Sequence, residues 1–191
     1  MTKRLTLICQ GATNATRRGI FPVDEALEAG AALPAAPKPL HGRGWSVLVS
    51  PRLAARQTAE RLSLVATVDT ALDDIDCGDW AGRSIAEIAE AQPREIERWI
   101  LDPDYAGHGG ESRSALAERA TAWLARRAED EPHALAVTHA AFIRSLVLSI
   151  LDAPVSAFWR IDIAPASVTD IRHDGRRWTI RSLGCLPQSG V

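Results

Sequence analysis

The chain has 191 residues, 46% of them hydrophobic and 24% charged, with a formal net charge of -2, which fits one globular domain over 1–191 with a sizeable core. This balance favours neither nucleic acid nor an anionic membrane, because the basic pairs Arg17-Arg18, Arg126-Arg127 and Arg176-Arg177 are short and have acidic or apolar neighbours. Cys9, Cys77 and Cys185 are odd in number and lack zinc-like spacing; neither a disulfide framework, a metal site nor a cofactor is expected, and a reducing cytoplasm is the expected compartment.

The opening Met1-Thr-Lys-Arg is followed by the apolar run Leu5 to Cys9, which is too short for a signal h-region and reads as a buried strand. A short helix is expected around Asp24 to Ala29, then an irregular Ala, Pro and Gly-rich loop to residue 44. Trp45 to Val49 reads as a second strand. Ser50-Pro51 supplies an N-cap and first position for a helix through about Ser63, and Leu64 to Val68 a short strand.

Ser84-Ile-Ala-Glu87 has the form of a capping box and starts a helix that Pro93 interrupts, with a second helix to about Leu101. Glu111 to Arg127 repeats Leu116, Ala120, Trp123 and Leu124 at helical spacing. Ala134 to Thr138 is the next strand, and Ala140 to Leu151 is an apolar helix that Pro154 stops. Trp159 to Ile163, Ser167 to Arg172 and Trp178 to Leu183 alternate as strands do, with Asp174-Gly175 as a hairpin turn. The pattern predicts a three-layer α/β/α fold, its sheet mainly parallel with antiparallel C-terminal edge strands. No stretch is long enough to span a bilayer.

Ligands of open α/β sheets bind at the carboxyl ends of strands, which singles out Cys9-Gln10-Gly11, Ser50-Pro51 and Thr138-His139. His139 stands out because a helix begins just after it, where anions are favoured; a hydrogen-bonded core histidine is the alternative. Among the other histidines, His41, His133 and His173 read as solvated loop residues. Trp45, Trp99, Trp123 and Trp178 suit a core, and Trp159 suits a core or a subunit contact.

Five segments in order resemble the histidine phosphatase superfamily: Cys9 to Thr13 in place of its R-H-G-E-T loop, Ser50-Pro51 through Gln57-Thr58-Ala59, Gly78-Asp79-Trp80-Ala81-Gly82, Gly110-Glu111-Ser112, and Val137-Thr138-His139. The resemblance spans residue 5 to about 151 and implies a phosphoglycerate mutase-like fold of the compact phosphatase branch. It places the nucleophilic histidine at Gln10, the second pocket histidine at His139 and the proton-donating acid at Asp74. Both phosphate-binding arginines are lost, to Cys9 and to Ala54. The loop asparagine falls on Thr16, while Gly11, Thr13, Arg56, His108, Glu111 and Ala140 fall in or beside the implied ligand site.

Helical geometry sets Arg52 and Arg56 on one face about 160° from residue 54, as surface arginines. A cysteine phosphatase loop starting at Cys9 needs arginine at position 15, which is Ala15, so Cys9 reads as a small buried strand residue. A carboxamide is neither basic nor nucleophilic at neutral pH. Loss of a catalytic nucleophile costs on the order of 10⁴ to 10⁶ in rate, and each lost charge-assisted hydrogen bond about 1.5–3 kcal/mol.

The resemblance therefore implies little or no phosphatase activity and a fold kept for a small anionic or phosphorylated ligand, or for a protein. Two alternatives stay open. One is a phosphomonoesterase using His139 and Asp74 with water; the other is an interaction module, a homodimer through the terminal strands. Whether Arg17, Arg52, Arg56 or Arg144 reaches the space before Gln10 is the structural question that follows.

Overall fold

The computed structural model describes residues 2–34, 45–129 and 132–186. Six strands form one sheet in the order β3-β2-β4-β1-β5-β6: β1 (Lys3–Cys9), β2 (Trp45–Val49), β3 (Thr67–Val68), β4 (His133–Thr138), β5 (Val168–His173) and β6 (Trp178–Cys185). The first four run parallel, and β5 and β6 extend the sheet antiparallel beside β1. The predicted fold class is the one observed.

The central strands are mostly apolar and buried toward their carboxyl ends because both faces are covered there. Leu5, Leu7 and Cys9 of β1 and Ala134 and Ala136 of β4 face one core, with Trp123, Phe142 and Leu146 of α5 (Arg113–Glu129) and α6 (Ala140–Ile150). Ile8, Leu135 and Val137 alternate to the other side, against Ala55, Ala59 and Leu62 at helix α2 (Leu53–Arg61). The capping box at Ser84 forms and starts α3 (Ile85–Ala91), and Pro93 begins α4 (Pro93–Leu101) as expected.

Three local expectations give way to tertiary contacts. No helix forms over 24–29, where the side chains serve neighbouring elements: Asp24 Oδ1 accepts from Leu53 N at 2.7 Å, and Glu25 Oε1 from Ala15 N at 2.7 Å. A helix forms instead at Asn14–Arg18, α1, capped by Thr13. The N-cap of α2 is Arg52 rather than Ser50, whose hydroxyl is taken by His139. Over 159–163 there is no strand: Val155–Arg160 forms a 3₁₀ turn that buries Phe158.

The strand expected at 64–68 pairs only at Thr67–Val68. His133 lies in β4, stacked on Trp45 at 5.1 Å, rather than in a loop. His41 and most of the 30–44 loop lie outside the described residues. Among the described residues no helix is long and apolar enough to cross a membrane.

Candidate functional site

Parallel pairing aligns the carboxyl ends of β1 and β4, with Cys9 opposite Thr138. Gln10 N donates to Thr138 O at 2.8 Å and Ala166 N to Gln10 O at 2.9 Å, so Gln10 is held beside His139. His139 is the extended N-cap of α6 and is 2% exposed. Its Nε2 lies 2.7 Å from Ser50 Oγ, and its Nδ1 lies 3.5 Å from Asp74 Oδ2 without a hydrogen bond.

Burial pushes the His139 pKa below the usual imidazole value, against the weaker upward pull of Asp74 and Asp73. Ser50 Oγ accepts from Arg52 N at 3.2 Å. A neutral ring accepting the Ser50 proton at Nε2 carries its own proton on Nδ1, toward Asp74; this tautomer is an assignment from the network. Ser50 is fully buried and lines neither cavity.

A small pocket of about 50 Å³ opens in front of Gln10, with Thr13, Thr16, Ala54 and His139 on its walls. Its charged lining is Asp24, Glu25, Asp74 and Arg52. Arg52 is already engaged, with Nε 2.6 Å from Asp73 Oδ1. As an extended N-cap it escapes the helical geometry that set it away from Ala54, and it shares this pocket with Ala54. Arg56 is exposed and outside the pocket, and Arg17 pairs with Glu28. The Thr16 hydroxyl is spent on Thr13, and Gly11 N donates to Thr58 Oγ1.

A second cavity of about 390 Å³ adjoins the first, sharing Gln10, Thr16, Asp74 and His139 and adding Cys9 and Ala140. Burial pushes the Cys9 thiol up to about 12, so it stays protonated at neutral pH. Two arginines line this cavity, Arg113 and Arg144. Of the four arginines considered, Arg52 thus lines the smaller pocket and Arg144 the larger one; Arg113, which directly follows Gly110-Glu111-Ser112, was not singled out by sequence, because no motif marks it.

His108 and Glu111 line neither cavity. His108 is buried against Trp80 and Tyr105 at 5.2 and 5.6 Å, and its Nδ1 accepts from Gly110 N. Glu111 receives a fork from Arg119, Nε to Oε1 at 2.9 Å and Nη2 to Oε2 at 2.7 Å. Arg119 also donates to the carbonyls of Ala71, Asp73 and Asp74, so it fixes the loop that presents Asp74; sequence gave no sign of it. Among the described residues no group of three or more His, Cys, Asp or Glu is placed to hold a metal.

The sequence model for the histidine phosphatase superfamily (branch 1) matches residues 27–186, a stretch that begins after the loop at 9–13. A phosphoserine phosphatase 1 from Hydrogenobacter thermophilus is 28% identical over 134 residues, 69% of this chain and 64% of that protein. A glucosyl-3-phosphoglycerate phosphatase from Mycobacterium tuberculosis is 33% identical over 112 residues, 53% of this chain and 50% of that protein. The matched stretch thus spans between half and two thirds of each relative's length. A solved mycobacterial glucosyl-3-phosphoglycerate phosphatase in complex with VO3 superposes with a TM-score of 0.78 at 24% identity, covering 96% of this chain and 99% of the other, which establishes the shared fold.

Proposed function

The chain belongs to the histidine phosphatase superfamily, branch 1, and from that premise we propose that it is a degenerate, single-domain member with little or no phosphatase activity, kept in the cytoplasm to bind a small anionic ligand. The observation that carries the loss of phosphatase activity is the charge of the pocket in front of Gln10; the anion-binding part rests on the arginines of the larger cavity beside it. Three carboxylates, Asp24, Glu25 and Asp74, line it against one arginine, and that arginine is paired with Asp73. A phosphate dianion placed there meets more negative than positive charge, softened only where the exposed Asp24 is screened by water.

Two further features support it. The backbone N–H groups of Ala15 and Leu53, at the starts of α1 and α2, already donate to Glu25 and Asp24 of the chain itself. Helix starts are where an incoming anion ordinarily finds unpaired donors. The carboxamide of Gln10 supplies no nucleophile, and its Oε1 is buried without a partner.

The test is phosphate release from p-nitrophenyl phosphate, phosphoserine and 3-phosphoglycerate by the unaltered protein and by His139→Ala at matched purity. Equal background rates are the expected result. Turnover that disappears with His139→Ala overturns the proposal.

A second reading rests on one observation, the Asp74 carboxylate 3.5 Å from His139. In it, water attacks the phosphoester while Asp74 or His139 manages the proton. That reading requires the rate to fall on Asp74→Asn and to vary with pH between 5 and 8.

A further inference from the structure

The geometry points to the 390 Å³ cavity beside Gln10 as a receptor for an amphipathic organic monocarboxylate, an aromatic or bulky apolar acid whose carboxylate is taken by Arg113 and Arg144. This deepens the binding reading above and rests on it. The volume falls within the roughly 300–1,000 Å³ typical of small-molecule sites.

Arg113 is the decisive residue. It is 2% exposed, yet among the described residues it has no carboxylate within ion-pair distance. Among the described residues its side chain makes one hydrogen bond, Nη2 to Ile100 O at 3.1 Å, and Nη1 is buried without an acceptor. A buried charge left unpaired is costly, so a fold that keeps one against a cavity wall offers it to an anion. Arg144, less buried, is also weakly partnered: its Nε is buried without an acceptor, and among the described residues its only ion pair is Nη2 with Asp162 at 3.7 Å, a carboxylate 96% exposed to water. Both guanidiniums flank Phe158, 6.0 and 5.4 Å from the ring centre, and Arg113 also lies 5.2 Å over Trp159.

The rest of the wall fixes the ligand class. Isoleucines, alanines and prolines make it largely apolar, and Phe21, Trp99, Phe158 and Trp159 add four aromatic rings, those of Trp99 and Trp159 4.7 Å apart. The formal charges on the cavity wall are two guanidiniums and the Asp74 carboxylate, with His139 and Cys9 favoured neutral by burial; Asp162, the partner of Arg144, stands outside the wall and 96% exposed to water, so the wall itself carries one net positive charge. A monoanion completes it, whereas a dianion overshoots beside Asp74. Planar guanidinium forks match a carboxylate edge, and the aromatic wall takes the apolar body.

The experiment titrates the unaltered protein with 2-naphthoate and with its neutral counterpart 2-naphthamide, read by calorimetry. Saturable one-to-one binding of 2-naphthoate, at least tenfold tighter than the amide, is expected, and Arg144→Met should weaken it at least tenfold while leaving the amide unchanged. Equal affinity for acid and amide, or no saturable binding of the acid, overturns the inference without any variant having to fold. Phosphate release from 2-naphthyl phosphate, followed in parallel, separates the two claims. His139-dependent release overturns the loss of phosphatase activity and leaves the acid-versus-amide comparison standing; absent binding with no release does the reverse.

Discussion

Arg119 shows how much one side chain can organise without touching either cavity. Its five N–H contacts divide between the Glu111 carboxylate and three carbonyls of the 71–74 loop, so its planar fork joins α5 to the segment that presents Asp73 and Asp74. Replacing it by methionine strands a partly buried carboxylate and three carbonyls at once, and removing one partner of such a pair is destabilising. We expect Arg119→Met to lower stability by about 2–3 kcal/mol, discounted because the side chain is partly exposed. Arg119→Lys should recover less than half of that, since an ammonium cannot bridge the same set. Urea denaturation midpoints at equal slope measure both, and full recovery by lysine would show that the charge alone, not the fork, is what counts.

At the scale of elements, the loops around Gly78 and Gly110 pack backbone against backbone. Asp79 N donates to His108 O at 2.8 Å and Glu111 N to Asp76 O at 2.7 Å. A Cβ at Gly110 would meet Asp76 O at 2.2 Å, and one at Gly78, which has φ +49°, would meet His108 O at 2.1 Å. Both obstacles are backbone and cannot rotate away, so Gly110→Ala should cost roughly 3 kcal/mol and displace the loop that leads back to Asp74. A thermal midpoint within 2 °C of the unaltered protein, about half a kcal/mol for a domain of this size, would contradict the close packing.

Local rules are what the sequence makes legible. The Ser84 box, the Pro93 break and the Asp174-Gly175 hairpin are local rules and form as expected. The side-by-side placement of Gln10 and His139 also follows, from two strand ends in a parallel sheet. Asp24 to Ala29 does not become a helix because its carboxylates cap α1 and α2, a tertiary demand that spacing cannot express. The meeting of Arg113 and Arg144 is hidden for a similar reason: they stand on different helices and share Phe158 and one cavity wall through tertiary packing alone.

For the molecule as a whole, two buried imidazoles set the acid side of stability. His139 and His108 both have pKa values held below the usual one, in each case chiefly by burial, with Asp74, Asp76 and Asp79 pulling only weakly the other way. A histidine with a depressed folded pKa is neutral in both states only well above its unfolded pKa of about 6.5, and its contribution is complete there. As pH falls below that, the unfolded chain takes up a proton that the folded chain refuses, and stability is lost until the folded pKa is passed. Each such histidine can contribute at most about 1.4 kcal/mol per pH unit to this slope. The carboxyls of Glu87 and Asp174, whose pKa values are lowered by hydrogen bonds to backbone N–H groups, act in the same direction but at lower pH, below the carboxylate range. The thermal midpoint should therefore drop between pH 7 and 5, before those carboxyls titrate. His108→Asn can keep the hydrogen bond from Gly110 N through its amide oxygen while removing the titrating group. It should flatten the slope of unfolding free energy against pH by up to one proton's share, leaving the His139 share in place, as denaturant melts at half-unit pH steps would record. An unchanged slope would mean that His108 can be protonated in the folded state as readily as in the unfolded one, and that its burial against Trp80 and Tyr105 does not exclude the charge.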